Sequence, residues 1–271
     1  MEKLDKNGLT EEQYLAQYNP NKYEKPSVTV DMVVLGTNAS LTGLKILLVK
    51  RGAHPFIGEW ALPGGFVKMD ESTSEAASRE LEQETGLKNV YLEQIGSFSE
   101  PDRDPRMRVI SISYMALVNR TPIVKGNDDA AEARWFDFEF TDKMIRIYDK
   151  DSDFEMRYNL KRKKFKNGTI PYEKLVASDP RGASLAFDHA QIIVDAMTQL
   201  RKEVMYTNLP FSMASPKFTL PDLQRIYELL LGHTLYKANF RIMVADRVES
   251  VGEKGKSIVG NRMSELFFLV G

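Results

Sequence analysis

Leu62-Pro63-Gly64-Gly65-Phe66, followed by Glu71 and then by Arg79-Glu80-Leu81-Glu82-Gln83-Glu84-Thr85-Gly86-Leu87, joins a glycine turn to an acidic helix. Two glycines after a proline make a tight turn and permit backbone conformations closed to other residues. A helix is expected from about Ser72 to Thr85, with Gly86 stopping it. On that helix Glu80 and Glu84 stand four apart with Gln83 between them, so all three project from one face. Two stacked carboxylates repel each other unless a cation lies between them. Oxygen donors at that density suit Mg²⁺ or Mn²⁺, which keep several waters and bridge to phosphate oxygens. Arg79 is placed to hold Glu71 by a bidentate ion pair, tying loop to helix. The alternative for a lone Glu pair is an exposed acidic face; the glycine loop, Arg79 and Gly86 together favour a metal and pyrophosphate site.

Strand patterns flank this segment. Val28 to Leu35 is rich in β-branched residues, and Leu44 to Val49 reads as its hairpin partner across a turn at Asn38–Gly43. Further strands are expected at about 90–98 and 108–118, with another apolar element from Trp135. Strands around helices in this order predict an α/β fold, a mixed-sheet α/β/α sandwich. Residues 1–26 read as an N-terminal helical extension in which Thr10 and Gln13 form a capping box. Residues 140–180 read as an inserted hairpin, with Asn167-Gly168 as its turn. Its basic run Arg157 to Lys166 is a solvated face or a contact for nucleic acid or a second subunit. An amphipathic helix is expected over Leu185–Val204.

Asn208, Pro210 and Pro216 break the chain, so the first domain is taken as 1–205 and a second as 206–271. In the second, Thr219 caps a helix with Pro221 in its first turn and Gly232 at its end. Another helix is expected over about Tyr236–Asp246, then a glycine-punctuated hairpin closing with Ser264–Val270. Helix, helix and hairpin in this compass form the layout of a small winged helix-turn-helix domain. Lys237, Asn239 and Arg241 would lie near the start of the groove-entering helix, and Lys254, Lys256 and Arg262 around the wing. Eight Lys/Arg against six Asp/Glu from Pro216 onward is a weakly basic balance. Contact with double-stranded DNA and a purely dimerising role therefore both remain open.

Composition narrows the classes. There is no cysteine in the 271 residues, which excludes disulfides, thiolate metal sites and cysteine nucleophiles. No apolar run approaches the roughly 20 residues of a membrane span, and the charged N-terminus lacks a signal-peptide core. A cytoplasmic setting without membrane contact is expected. The net charge of −1 leaves room for a local basic face.

The segment from Gly65 closely resembles the Nudix box: Gly, five residues, Glu, seven residues, then Arg-Glu-apolar-x-Glu-Glu-x-Gly-apolar. Gln83 departs from it, standing where the first of the paired glutamates belongs. By that resemblance Glu80 and Glu84 are metal ligands, with the Gly64 carbonyl and Gln83 beside them, and Glu71, Arg79, Glu80 and Glu84 form the catalytic set. Glu80, or one of Asp128, Asp129 and Glu132 outside the box, would be the general base; each of those three loop acids also reads as simply solvated. The resemblance implies Mg²⁺ (or Mn²⁺) and in-line attack of water on a nucleoside diphosphate derivative.

Glu100 to Arg106 is a loop bounded by Pro101 and Pro105, with two arginines and three acids. It reads either as a pyrophosphate clamp built on Arg103 and Arg106 or as a rigid turn laced by ion pairs. The loop, Phe56–Phe66, Leu185–Ala190 and Phe218–Arg225 resemble the Nudix branch containing ADP-ribose pyrophosphatases and the Nudix-related regulators of NAD metabolism. Arg51, Gly65, Arg103 and Arg106 are then the expected substrate-binding residues, while His189 taken alone reads as a packed helix residue. Two functions follow from the resemblance: hydrolysis of ADP-ribose to AMP and ribose 5-phosphate, placed first, or ADP-ribose sensing by a DNA-binding regulator. A homodimer is expected for either.

Overall fold

The computed structural model describes residues 3–124 and 130–270. Its first helix, α1 (Glu11–Gln17), is opened by the Thr10–Gln13 capping box and buries none of its residues. The central strand, β1 (Ser27–Thr37), runs antiparallel to β2 (Leu44–Arg51) and parallel to β6 (Val109–Leu117). Being covered on both faces, β1 reads as a continuous apolar run, and Val30, Met32, Val33, Val34 and Leu35 are fully buried.

Two short strands, β3 (Trp60–Ala61) and β4 (Gly64–Phe66), attach to β2 and β1 respectively. With β5 (Glu93–Phe98), β7 (Ala130–Phe140), β8 (Met144–Tyr148), β9 (Glu155–Asn167) and β10 (Ile170–Gly182), the main path of the sheet is β10-β9-β8-β7-β2-β1-β6-β5. The hairpin expected within 140–180 is β9–β10. It starts later than expected and is preceded by β8, because Ile145, Ile147, Met156 and Tyr158 alternate inward and extend the main core.

One helix covers each face. The first, α2 (Thr73–Thr85), is capped by a Ser72–Glu75 box and ends at Gly86 with φ 78°. It lays Ala76, Ala77 and Leu81 on Val30, Met32 and Val34. On the opposite face α3 (His189–Glu203) lays Ile193, Ala196, Met197 and Leu200 into the core that holds Val33 and Leu35. This is the mixed-sheet α/β/α sandwich. The third helix begins four residues later than the periodicity suggests. Leu185 bridges to Trp60 and the Ala186 N–H donates to the Trp60 carbonyl, so the chain still runs as strand there.

After a 3-10 turn at Leu209–Met213 comes the second unit: β11 (Phe218–Thr219), α4 (Leu220–Leu231), α5 (Lys237–Val244), β12 (Val248–Lys256) and β13 (Met263–Leu269). Its sheet order is β11-β13-β12, the arrangement of a winged helix. Thr219 caps α4, which closes on Gly232 at φ 79°. Tyr227 of α4 meets Phe240 of α5 edge-on, ring centroids 5.3 Å apart. The end of α5 differs from expectation, since Ala245–Arg247 tighten into a 3-10 turn, and β11, which pairs with β13, is an added strand. Arg201 ties the two units: its guanidinium donates to Phe140 O at 2.7 Å and to Leu230 O, at the end of α4, at 3.3 Å.

Candidate active site and nucleic-acid interface

The glycine loop lies on the central strand, with Gly64 opposite Asp31 and Gly65 opposite Val30. A Cβ at Gly64 would collide with the Val30 carbonyl, and one at Gly65 with the Glu80 carboxylate. Gly64 is thus required by its close approach to backbone, whereas a side chain at Gly65 would push the Glu80 carboxylate aside. From α2, Arg79 closes its fork on Glu71, Nε to Oε2 at 2.8 Å, while the Lys68 N–H donates to the same carboxylate. The bond to Arg79 holds the Glu71 carboxyl down at about 2. Arg79 also donates to Glu80 at 2.7 Å, to Gln83 at 3.0 Å and to the Phe66 carbonyl at 3.1 Å. The sequence-based pairing of loop to helix is the geometry found.

Glu84 accepts the Gly64 N–H at 2.8 Å and is half-buried in the wall of the cleft. Burial pushes its carboxyl up to about 8, and the nearby Glu80 and Asp31 carboxylates add to the rise against the pull of the Gly64 N–H and Arg51. Glu80 and Glu84, two carboxylates near each other on one face of α2, suit a divalent cation, so the donor set fits one chemically. The described residues hold no group of three or more His, Cys, Asp or Glu side chains already arranged as a metal cage. Such a cation would therefore rest on two carboxylates, backbone oxygen, water and ligand phosphate, as Mg²⁺ commonly does.

Beside these residues lies a buried network that the sequence reading did not assemble. Asp31 accepts from the Ser111 hydroxyl, from Arg103 at 3.2 Å, and lies 3.4 Å from His189 Nε2. Burial drives the Asp31 carboxyl up, but His189, Arg103 and Ser111 overcome that and hold it at about 2. His189 Nδ1 accepts the Leu62 N–H at 2.9 Å, fixing which nitrogen faces Asp31. Arg103 closes bidentately on Asp188, with bonds of 2.7 and 3.0 Å, and only 4% of its side chain is exposed. The signal for this network was present as Asp31, a lone carboxylate inside the apolar run of β1.

A cleft of about 840 Å³ is lined by Gly64, Gly65, Glu80, Gln83 and Glu84 together with Arg51, Arg103 and Arg106. The expected clamp is altered in one member: Arg103 reaches the wall, but its fork is turned inward to the two aspartates. Arg106 pairs with Asp104 and lies 5.5 Å over the Phe66 ring. Arg51 donates through Nε to the Pro55 carbonyl, rests 4.9 Å from the Phe187 ring, and forms no ion pair among the described residues. Of the acids considered as a base outside the box, Glu132 is exposed on β7 opposite Lys50 and does not line the cleft. Asp128 and Asp129 lie outside the described residues.

On the winged helix, Lys237, Asn239, Arg241, Lys254, Lys256 and Arg262 are all exposed. Asp222 of α4 accepts from the Ser257 hydroxyl at 2.8 Å and the Val259 N–H at 3.0 Å, fixing the loop of the wing to the helix pair. Among the described residues no helix is long and apolar enough to cross a membrane.

Comparison with known proteins agrees with this geometry. Residues 25–153 match the NUDIX domain model and residues 210–269 match the NrtR DNA-binding winged helix domain model. An ADPR responsive transcriptional repressor, NtrR, of Acinetobacter baylyi is 31% identical over 264 residues, covering 96% of this chain and 89% of that protein. An ADP-ribose pyrophosphatase of Methanocaldococcus jannaschii is 41% identical over 136 residues, covering 50% of this chain and 76% of that protein. The crystal structure of Shewanella oneidensis NrtR complexed with a 27mer DNA superposes with a TM-score of 0.62 at 26% identity, covering 90% of this chain and 93% of that one. The chain belongs to the Nudix family, in the branch that joins a Nudix domain to an NrtR-type winged helix.

Proposed function

We propose that this chain is an ADP-ribose-responsive DNA-binding regulator, its Nudix cleft binding the ligand and its winged helix binding duplex DNA. One observation carries the reading. The helix α3 touches both the ligand cleft and the α4–α5 pair: its first residue, His189, bonds in the cleft and its Arg201 caps the end of α4. The relative spanning almost the whole chain is an ADP-ribose-responsive repressor, which supports the same conclusion. Arg51 and Arg106 meet the pyrophosphate, and the Phe187 and Phe66 rings beneath them flank the adenine or ribose ends. Ligand pressing on Arg106 moves the Glu100–Arg106 loop, and through Arg103–Asp188 the start of α3. For ligand to alter DNA affinity, the two arrangements of α3 must differ in affinity for ADP-ribose. Two copies of the chain, related by a two-fold axis, match the two half-sites of a duplex operator.

A second reading, hydrolysis of ADP-ribose to AMP and ribose 5-phosphate, is favoured by the intact Glu71–Arg79 pair and by Glu80 and Glu84 on one face. Glu80 and Glu84 would hold Mg²⁺ or Mn²⁺ with the Gly64 carbonyl. The cation supplies charge neutralisation at phosphate and a lowered pKa for water. Arg79 orients Glu80, and the Gly64 N–H orients Glu84. Gln83 offers oxygen without charge and is held by Arg79, so turnover is slow.

Incubating the protein with ADP-ribose and Mg²⁺ tests both readings: melting temperature reports binding, AMP release reports turnover. A raised melting temperature with turnover well below about 1 s⁻¹, the low end of ordinary enzymes, supports the regulator. Faster multiple turnover supports the enzyme, and neither response removes ADP-ribose as the ligand.

A further inference from the structure

Beyond Asn159 the strand β9 loses β8 as a neighbour and pairs with β10 alone, so Lys161 to Lys174 form a two-stranded ribbon tied to the body only at its base. Every residue from 161 to 174 is exposed. Seven residues of strand from Lys161 to Asn167 make an arm of roughly 23 Å. It carries Lys161, Arg162, Lys163, Lys164, Lys166 and Lys174 against Glu173 alone, in a chain whose net charge is −1. Arg162 pairs with Asp142 and Lys174 with Asp195, while Lys161, Lys163, Lys164 and Lys166 form no ion pair among the described residues.

This arrangement costs stability in the isolated chain. A two-stranded ribbon is marginal in water, and Lys163 stands directly opposite Lys174, where like charges are unfavourable. What holds the ribbon is a stacked pair across the strands, Phe165 and Tyr172, with centroids 5.5 Å apart. Such a ribbon has the dimensions to follow a groove or backbone of duplex DNA.

The root of the arm is anchored beside the DNA-facing unit. Arg162 bonds Asp142 at 3.0 Å, Asp142 faces Arg201 at 3.8 Å, and Arg201 donates to Leu230 O at the end of α4. The turn that follows α4 leads directly into α5, so the ribbon springs from the same corner of the molecule. Lysine is depleted in the cores of protein–protein interfaces, whereas spaced lysines without sequence readout are what phosphates attract.

We propose that the β9–β10 ribbon is a second DNA contact, a sequence-independent arm that grips the phosphate backbone flanking the base pairs met by α5. The proposal rests on the DNA-binding reading given above. Each phosphate neutralised by a lysine steepens the fall of log affinity with log salt by about 0.9, so four lysines acting on phosphates contribute a slope of magnitude up to about 3.6.

The test uses the full-length chain and a mixed-sequence duplex of about 30 bp, roughly three helical turns. Fluorescence anisotropy is followed between about 50 and 200 mM NaCl, the range in which the salt term is large. The variant combines Lys161→Gln, Lys163→Gln, Lys164→Gln and Lys166→Gln. We expect the magnitude of its slope to fall by roughly 2 to 3.6, with a melting temperature no lower than that of the wild type and unchanged sedimentation. A wild type that binds duplex and a variant that binds with the same slope overturn the arm and leave the DNA-binding reading intact. A variant that keeps the slope but loses self-association in sedimentation also overturns it, making the ribbon a subunit contact. A wild type that binds no duplex at the lowest salt removes the DNA-binding reading and the arm together.

Discussion

Replacing Arg103 by methionine separates a structural arginine from a ligand clamp. In the structure this guanidinium is buried, closed bidentately on Asp188 and bonded to Asp31. Asp31 is itself buried and is held at about 2 against an ordinary 3.8. A carboxyl lowered by that much contributes roughly 2.5 kcal/mol of stability at neutral pH. Because the folded value is depressed, the contribution is complete above about pH 4 and is lost as pH falls through about 2. Arg103→Met leaves Asp31 with only Ser111 and His189, while Asp188, one quarter exposed, gains water. Removing one partner of a buried pair costs up to 3–5 kcal/mol; with two partners retained, about 2–3 kcal/mol is expected. Melting should fall by roughly 5–10 °C. Urea unfolding at pH 7 measures the loss directly, and adding Asp31→Asn to the Arg103→Met protein should recover part of it by removing the stranded charge. An Arg103→Met protein as stable as wild type, yet unable to bind ADP-ribose, would refute the reasoning: Arg103 would then belong to the ligand.

Three further outcomes follow from the cleft. With its folded pKa raised to about 8 from 4.5, Glu84 weakens the metal-free protein progressively as pH rises from 4.5 to 8. Glu84→Gln should flatten that pH dependence in chelator, measured by urea unfolding, and abolish any AMP release; identical pH profiles would place Glu84 in water. Gly65→Ala should displace the Glu80 carboxylate and weaken Mg²⁺ binding in calorimetry by roughly tenfold, on the scale of a lost orienting contact. Unchanged affinity would remove Glu80 from the metal set. Gln83→Glu places a third carboxylate beside Arg79 and should raise turnover; no change in AMP release rate would make the position peripheral.

Much of this architecture is legible in local residue patterns, for stated reasons. The capping boxes at Thr10 and Ser72 and the left-handed glycines at 86 and 232 are short-range chemistry, so their helices end where the residues say. The pairing of Glu71 with Arg79 is similarly local, eight residues apart along loop and helix. What escaped is long-range. Asp31, Arg103, Asp188 and His189 meet only because β1, the Glu100–Arg106 loop and the start of α3 converge, across separations of 72 and 85 residues. The late start of α3 has the same origin: Leu185 and Ala186 satisfy their backbone on Trp60, a contact that helical periodicity does not encode.

The most direct test of the central claim is DNA affinity as a function of ADP-ribose. A duplex selected from a random library by the full-length protein would be titrated by anisotropy with and without saturating ADP-ribose, with its binding confirmed by the shift in melting temperature. ADP-ribose is expected to change the dissociation constant by about tenfold or more, within the usual range of allosteric coupling. Identical dissociation constants, with ADP-ribose demonstrably bound, would contradict it.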